Sequence, residues 1–412
     1  LEERLKLYAP EETALSQFNG THQFCGGAAG YFGYDLGRTL EQLPVRAERL
    51  EDMPDMAVGI YCSVISFNHK TGKNTLCILE ESEQEAEAQA GKILKKIRDY
   101  KPEKQLESAD TKLDLKAVLS APDFKANIQA VIDYIFAGDI FQANVSLPFQ
   151  GEVDGDFDLY RHYETLRKTN KAPYSAYLNT GNVKVASLSP ESFLSCQDGK
   201  VFTRPIKGTS PRHPDPQENQ KAIQKLKEDE KCRAENAMIV DLLRNDLSRV
   251  CTDYSIDVSS LCEVESYARV NHMVSSVGGE LRPDKTVIDL MKACFPGGSI
   301  TGAPKIRAME IIEELEPERR GPYCGAIGLI GFDGTLETNI VIRTLVQSGD
   351  VVRLNVGSGI VADSNVEEEY NEILAKADGI LKAGQMFCAG PEQGENDNII
   401  KSFDMKQAGR KR

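Results

Sequence analysis

Apolar positions along the chain switch between a period of two and a period near 3.6, and these switches divide it into alternating strands and helices. The run AVGIYCSVISF, Ala57 to Phe67, and a second run, Thr75 to Leu79, flank the turn NHKTGKN and predict a hairpin. A charged helical stretch from about Glu83 to Tyr100 follows, then KPEKQLESADTKLDLK, Lys101 to Lys116, which is polar, has no periodic apolar face and reads as a linker. The expected division is therefore a β-rich part over 1–115, a main domain over 116–388 and an unstructured tail over 389–412, rich in Gly, Asn and Asp and ending GRKR. Within the main domain the pattern predicts a helix from about Pro122 to Ala137 and strands near Phe141–Phe149, Tyr174–Leu178 and Val183–Leu188. Long helices are expected over Pro216–Arg249 and Val366–Ala383. In ESFLSCQDGKVFTRPIKG two strand-like runs meet at Asp198-Gly199, a strong signal for a two-residue hairpin turn.

That turn brings distant chemistry together. With Asp198 and Gly199 as its corner residues, Glu191 faces Ile206, the neighbour of Lys207, and Pro205 makes a bulge or strand end there expected. A cross-strand ion pair is one reading; a carboxylic acid beside an amine nucleophile is the other. A free lysine is neutral in fewer than roughly one molecule in a thousand at pH 7, so a nucleophilic amine needs desolvation or a base.

Three further glutamates sit among apolar residues. Glu235 shares a helix face with Met238, Ile239 and Leu242, so its carboxylate needs a cation, either an arginine or a hard metal ion. Glu369 aligns with Ile373, Lys376 and Ile380, while Glu372 precedes Lys376 by one turn and forms an ordinary helical ion pair in the simpler reading. The loop FPGGSITGAPKIRAMEIIEEL offers free amides ahead of Pro304, and NVGSGIVADS reads as a second glycine loop; either can approach an anion. The first is not a P-loop, because Ala-Pro follows Gly302. Arg343 shares a strand face with Val341 and Leu345 and wants a planar anion or a core ion pair. His272 has no second metal ligand at suitable spacing and reads as a core histidine. Together these residues suit a compound with two carboxylates, one met by a metal on Glu235 and Glu372, the other by Arg343 and glycine-loop amides.

Composition narrows the class. The 49 basic and 63 acidic residues give a net charge of −14, and no basic stripe with interleaved aromatics occurs, which argues against nucleic acid as a partner. The longest apolar runs are strand-sized, so no membrane span is expected. Ten cysteines without a CxxC pair read as reduced, buried thiols of a cytoplasmic protein. The chain starts at Leu1 without a methionine, which fits a trimmed N-terminus.

From Phe24 (FCGGAAGYFGYD) to Leu381 the sequence resembles the chorismate-utilising enzymes, most closely their aminodeoxychorismate synthase component I branch. GDIFQANVS, SPESFL, TRPIKGT, KCRAENAMIVDLLRNDL, PGGSITGAPKIRAMEII, YCGAIG, IRT, GSGIVADS and EEEYNEILAK occur in family order. The resemblance implies a large α/β sandwich of mostly antiparallel sheets, helices outside and the site between its halves. It also implies Mg2+-dependent conversion of chorismate and ammonia to 4-amino-4-deoxychorismate, a step towards 4-aminobenzoate and folate. Lys207 would attack C2 of the ring, where the sister anthranilate synthases carry alanine (PIAGT), with Glu191 as general acid/base. Glu235 and Glu372 would ligate Mg2+ with Glu369 in the outer shell. His272 and Ser299 would face the ring near C4 and its carboxylate, and Tyr323, Arg343, the Gly359 backbone and Lys376 would hold the enolpyruvyl carboxylate.

No Gly-x-Cys-x-Gly glutaminase elbow occurs, so a separate glutamine amidotransferase subunit is implied as the ammonia source. Cys232 replaces a common acidic residue beside the metal, Ser358 replaces a common glycine, and the motif lining a tryptophan pocket in relatives is not visible before Phe24. Isochorismate synthases carry a lysine base where this chain has Gln142. Anthranilate synthase is the alternative enzyme, and a non-catalytic chorismate-binding subunit the alternative from another class.

Overall fold

The computed structural model describes residues 1–10, 24–101, 113–381 and 403–409. Two large antiparallel sheets form the protein's frame. The nine-stranded sheet runs Ile206–Pro211, Val270–Glu280, Lys200–Arg204, Ser192–Gln197, Leu336–Ile340, Ala326–Gly331, Gly27–Phe32, Met56–Tyr61, with Asp257–Ser266 also paired to Val270–Glu280. The seven-stranded sheet runs Gly302–Ala303, Gln142–Glu152, Val351–Ile360, Thr344–Ser348, Val183–Ser189, Tyr174–Asn179, with Lys116–Ala117 beside Gln142–Glu152. A third sheet of three strands pairs Ser63–Asn68 with Lys73–Glu80, and Phe403–Gly409 lies parallel to the latter.

Each large sheet buries one face under helices. On Val351–Ile360 every second residue is buried, and Val352, Leu354, Val356 and Ile360 pack with Phe124, Ile128, Ile373 and Ile380 of the Ala121–Ala137 and Val366–Leu381 helices. Ser120 caps the first of these through the Asp123 amide, and Gly138, at φ 85°, ends it in a left-handed turn that a side chain would strain. On the nine-stranded sheet Leu194, Cys196, Val201 and Ile330 pack with Val240, Leu247 and Leu290 of the Glu230–Ser248 and Val287–Cys294 helices. The opposite faces meet where Tyr31 and Ile327 of one sheet contact Val183, Val185 and Val346 of the other. The fold is thus the expected sandwich, helices outside, with polar side chains between its halves away from that contact. Among the described residues no helix is long and apolar enough to cross a membrane.

Four expectations need correction. The run Ala57–Phe67 is two strands, Met56–Tyr61 and Ser63–Asn68, because the chain crosses from the nine-stranded to the three-stranded sheet at Cys62, whose carbonyl accepts from the Leu79 amide. The helical pattern of Pro216–Arg249 breaks at Asp229, whose carboxylate caps the second helix through the Cys232 amide. NVGSGIVADS is not a loop after a strand: through Ile360 it is the second half of the Val351–Ile360 strand, paired with Gln142–Glu152. Arg343 does not alternate along one strand, since Leu336–Ile340 and Thr344–Ser348 are separate and Arg343 between them has φ 52°. Residues 102–112 of the expected linker, and 389–402 and 410–412 of the tail, lie outside the described residues.

Candidate active site

The Asp198-Gly199 turn forms with φ 50° and 75°, the left-handed pair that a two-residue hairpin requires. Its register holds from Lys200–Gln197 to Phe202–Ser195, then slips, so that Arg204 faces Ser192. Beyond the slip the chain passes through Pro205 onto Ile206–Pro211, which pairs with Val270–Glu280 instead. Glu191 and Lys207 nonetheless meet. The Ile206 amide and the Ser299 hydroxyl bond to the Glu191 carboxylate, with Lys207 and Arg343 close enough to attract it. Lys207 is half-buried and donates from Nζ to the Ser299 carbonyl at 2.9 Å. The Glu191 backbone is held at both ends, its amide donating to Ser189 Oγ at 3.3 Å and its carbonyl accepting from the Ile340 amide at 3.1 Å.

Glu191 is 5% exposed, and burial pushes its carboxyl up from the ordinary range although Lys207, Ser299, Ile206 and Arg343 all favour the anion. Such a group keeps a proton longer than a surface glutamate, which a general acid needs. On the strand paired with that of Lys207, His272, opposite Thr209 in the ladder, has Nδ1 2.8 Å from the Thr209 hydroxyl. Burial, reinforced by Arg343, lowers it to about 4, so the imidazole is neutral near pH 7. Thr209 is thus a neighbour that sequence reading missed; its two-residue offset from Lys207 on a strand was the available signal.

Arg343 projects from its kink into the same space. It is solvent-accessible yet crowded by protein, which lowers it, with Glu191 opposing that shift. Its guanidinium makes no hydrogen bond or ion pair among the described residues, leaving a planar cation open to an anion. Tyr323, 4% exposed, lies beside Arg320, whose guanidinium is 5.8 Å from its ring centroid. Arg320 bonds to Glu316 and to the Ile300 and Asn144 carbonyls, joining the Ser299 loop to the Gln142–Glu152 strand, and no sequence pattern pointed to it. Lys376 Nζ donates to the Gly357 carbonyl at 3.1 Å and pairs with Glu372 at 2.7 Å, the simpler reading of that helix. Gly359 lies on its strand opposite Asn144, and a Cβ there would come 2.3 Å from Gln142 Nε2.

The three remaining carboxylates share one field. Burial raises Glu235, Lys207 and Lys231 lower it, and Glu369 and Glu372 raise it again. Glu235 has no hydrogen bond or ion pair among the described residues, so its oxygens are open. Glu369 is already saturated: Ser358 donates at 2.6 Å, Ser364 at 2.7 Å and Lys231 at 3.1 Å. Burial pushes Glu369 up, but these three partners outweigh it and hold the carboxyl low. No group of three or more metal-ligating side chains is gathered among the described residues. The donor set still suits a hard cation, since Glu235 and Glu372 supply carboxylate oxygens and Glu369 is committed elsewhere. Cys232, pushed up to about 12 by burial and then by Asp229, is a neutral thiol packed on Gly208. Ser358, the other departure, is the hydroxyl that binds Glu369.

Residues 2–382 match the family of chorismate binding enzymes. The chain is 42% identical over 359 residues to aminodeoxychorismate synthase component 1 of Escherichia coli K12, covering 87% of this chain and 77% of that protein. It is 39% identical over 386 residues to anthranilate synthase component 1 of Thermus thermophilus, covering 93% and 82%. The crystal structure of anthranilate synthase component I from Streptococcus pneumoniae superposes with a TM-score of 0.82 at 34% identity, over 92% of this chain and 85% of that one.

Proposed function

The chain belongs to the chorismate binding enzymes, and from that premise we propose that it aminates chorismate to 4-amino-4-deoxychorismate through a covalent intermediate on Lys207. The observation that carries this reading is the Lys207 amine, held on the Ser299 carbonyl within electrostatic reach of a buried glutamate whose carboxyl is raised. Burial raises the Glu191 carboxyl, so a proton is held beside the lysine for the departing hydroxyl.

Lys207 Nζ forms a bond to C2 as the two conjugated ring double bonds each shift one place and the C4–oxygen bond breaks; Glu191 protonates the departing hydroxyl, so that water leaves. Ammonia then bonds to C4, both double bonds shift back, and the C2–nitrogen bond breaks, its electron pair and the proton lost by the new C4 ammonium passing to the lysine, with the enolpyruvyl group intact. Neutral His272 lies within the electrostatic reach of Arg343 and would donate to the C4 oxygen. Ser299 would meet the ring carboxylate, and Tyr323, Arg343, the Gly359 amide and Lys376 the enolpyruvyl carboxylate. Mg2+ held by Glu235 and Glu372, with Glu369 behind them, would supply positive charge to the ring carboxylate. Ammonia would come from a separate glutamine amidotransferase, in keeping with the component 1 designation of the relatives.

Anthranilate synthase is the second reading, favoured by an identity of 39% against 42%. Incubation of the purified chain with chorismate, Mg2+ and ammonium separates the two. Aminodeoxychorismate without pyruvate, and a protein–substrate adduct by mass spectrometry that vanishes in Lys207→Ala, is the expected outcome. Release of pyruvate with anthranilate assigns the second reading.

A further inference from the structure

The Gln142–Glu152 strand carries two buried polar atoms that no protein group meets among the described residues, the side-chain carbonyl of Gln142 and the side-chain amino group of Asn144. Gln142 is 1% and Asn144 7% exposed. Burying such groups without partners is costly, and they ask for an explanation in a ligand or a bound water. Residues two apart on a strand share a face. Ala143, Val145 and Leu147 fill the helix-covered core, so Gln142 and Asn144 face the gap between the sheets.

Across from them the neighbouring strand is bare. Gly359 pairs with Asn144, and Gly357 pairs with Ser146. A Cβ on Gly357 would come 2.7 Å from the Tyr323 hydroxyl and 3.0 Å from Asn144 Nδ2, so both donors lie over this glycine and a side chain there would displace them. Lys376 brings an ammonium to the Gly357 carbonyl at 3.1 Å. Glu316, which reaches the same strand, is taken: it accepts from Arg320, the Ser146 amide and the Ser146 hydroxyl. Burial holds Tyr323 far above its usual range, so it stays a hydroxyl donor. The Asn144 backbone is pinned, its amide donating to the Thr301 carbonyl at 2.8 Å and its carbonyl accepting from Arg320 at 2.5 Å. The side chain is therefore held ready, with N–H groups and nothing to give them to.

A buried N–H donor with no acceptor, beside a phenol hydroxyl and close to an ammonium, fits an anionic oxygen. We infer that the Asn144 side-chain amide binds substrate, donating to the enolpyruvyl carboxylate of chorismate over Gly357 and beside Tyr323. This rests on the function proposed above. Gln142 presents an unmet acceptor, which does not suit an anion.

Calorimetric titration of chorismate into the full chain, with Mg2+ and without ammonium, tests it. Asn144→Ala should weaken binding about tenfold or more, as expected for one hydrogen bond to a charged group. Asn144→Asp, nearly the same shape, should bind more weakly still, because its carboxylate would face the substrate's. Gly357→Ala should weaken binding by displacing both donors. Asn144→Ala binding within twofold of the native chain, or Asn144→Asp binding no worse than Asn144→Ala, overturns the inference alone. Absence of chorismate binding by the native chain overturns the proposed function and this inference with it.

Discussion

At the Glu191 carboxyl two demands oppose each other: the interior disfavours the anion, while Lys207, the Ser299 hydroxyl, the Ile206 amide and Arg343 favour it, and burial wins. The folded state therefore binds this proton more tightly than the unfolded chain does. Stability from the group is present at low pH and is lost as pH rises from the unfolded carboxyl range through the raised folded one. Glu191→Gln removes that dependence. Its melting temperature should gain on the native protein's between pH 4 and pH 8, while chorismate turnover falls at least a hundredfold; a difference independent of pH would refute the raised carboxyl. The meeting of Glu191 with Lys207 was legible because one Asp-Gly turn sets a register, and the slip after Phe202 shifts the pairing without separating the pair. Asn144 was less legible. The polar alternation Gln142, Asn144, Ser146 is visible in the sequence, but only the glycines of a strand more than 200 residues later reveal what those side chains face.

Elements carry these residues, and their junctions decide the geometry. The Glu230–Ser248 helix, which bears Glu235, is tied to the Lys305–Leu315 helix after the Ser299 loop by Lys305, which bonds Asp246 at 2.6 Å and the Cys294 carbonyl at 2.8 Å. Asp246 is 4% exposed and also accepts from Arg249 at 3.1 Å. Lys305→Met would leave a buried carboxylate with only its more exposed partner. A loss of about 3 kcal/mol in denaturant unfolding is expected, at the low end for a broken buried pair because Arg249 remains; a loss under about 1 kcal/mol would mean that the pair is not a clasp. Where propensity and turn chemistry decide, as in the helix begun by Ser120 and ended by Gly138, the reading from sequence and the structure agree closely. Where a residue answers to two sheets they part. Cys62 lies where the chain crosses between sheets, and Arg343 bends where one ladder ends and another begins, neither of which a local period can express.

Across the whole molecule, the Glu235 helix lies on the nine-stranded sheet and the Glu372 helix on the seven-stranded one, so a cation held by both would join the halves. Mg2+ should therefore raise the melting temperature, by an amount equivalent to about 3 kcal/mol at a hundredfold excess over Kd. The shift should vanish in Glu235→Gln; no shift in the native chain would remove Mg2+ from the site. The sequence by itself determined the alternation of strands and helices, the Asp198-Gly199 hairpin, and the motifs that assign the chain to its family, because these rest on local chemistry and on residue order. Only the tertiary structure decided that NVGSGI is a strand, that Arg320 ties the Ser299 loop to the Gln142–Glu152 strand, that Glu369 is already satisfied while Glu235 is open, and that Asn144 and Tyr323 both lie over Gly357. Those outcomes depend on which faces of two sheets oppose each other, and a single strand or helix holds no record of its partner across the sandwich.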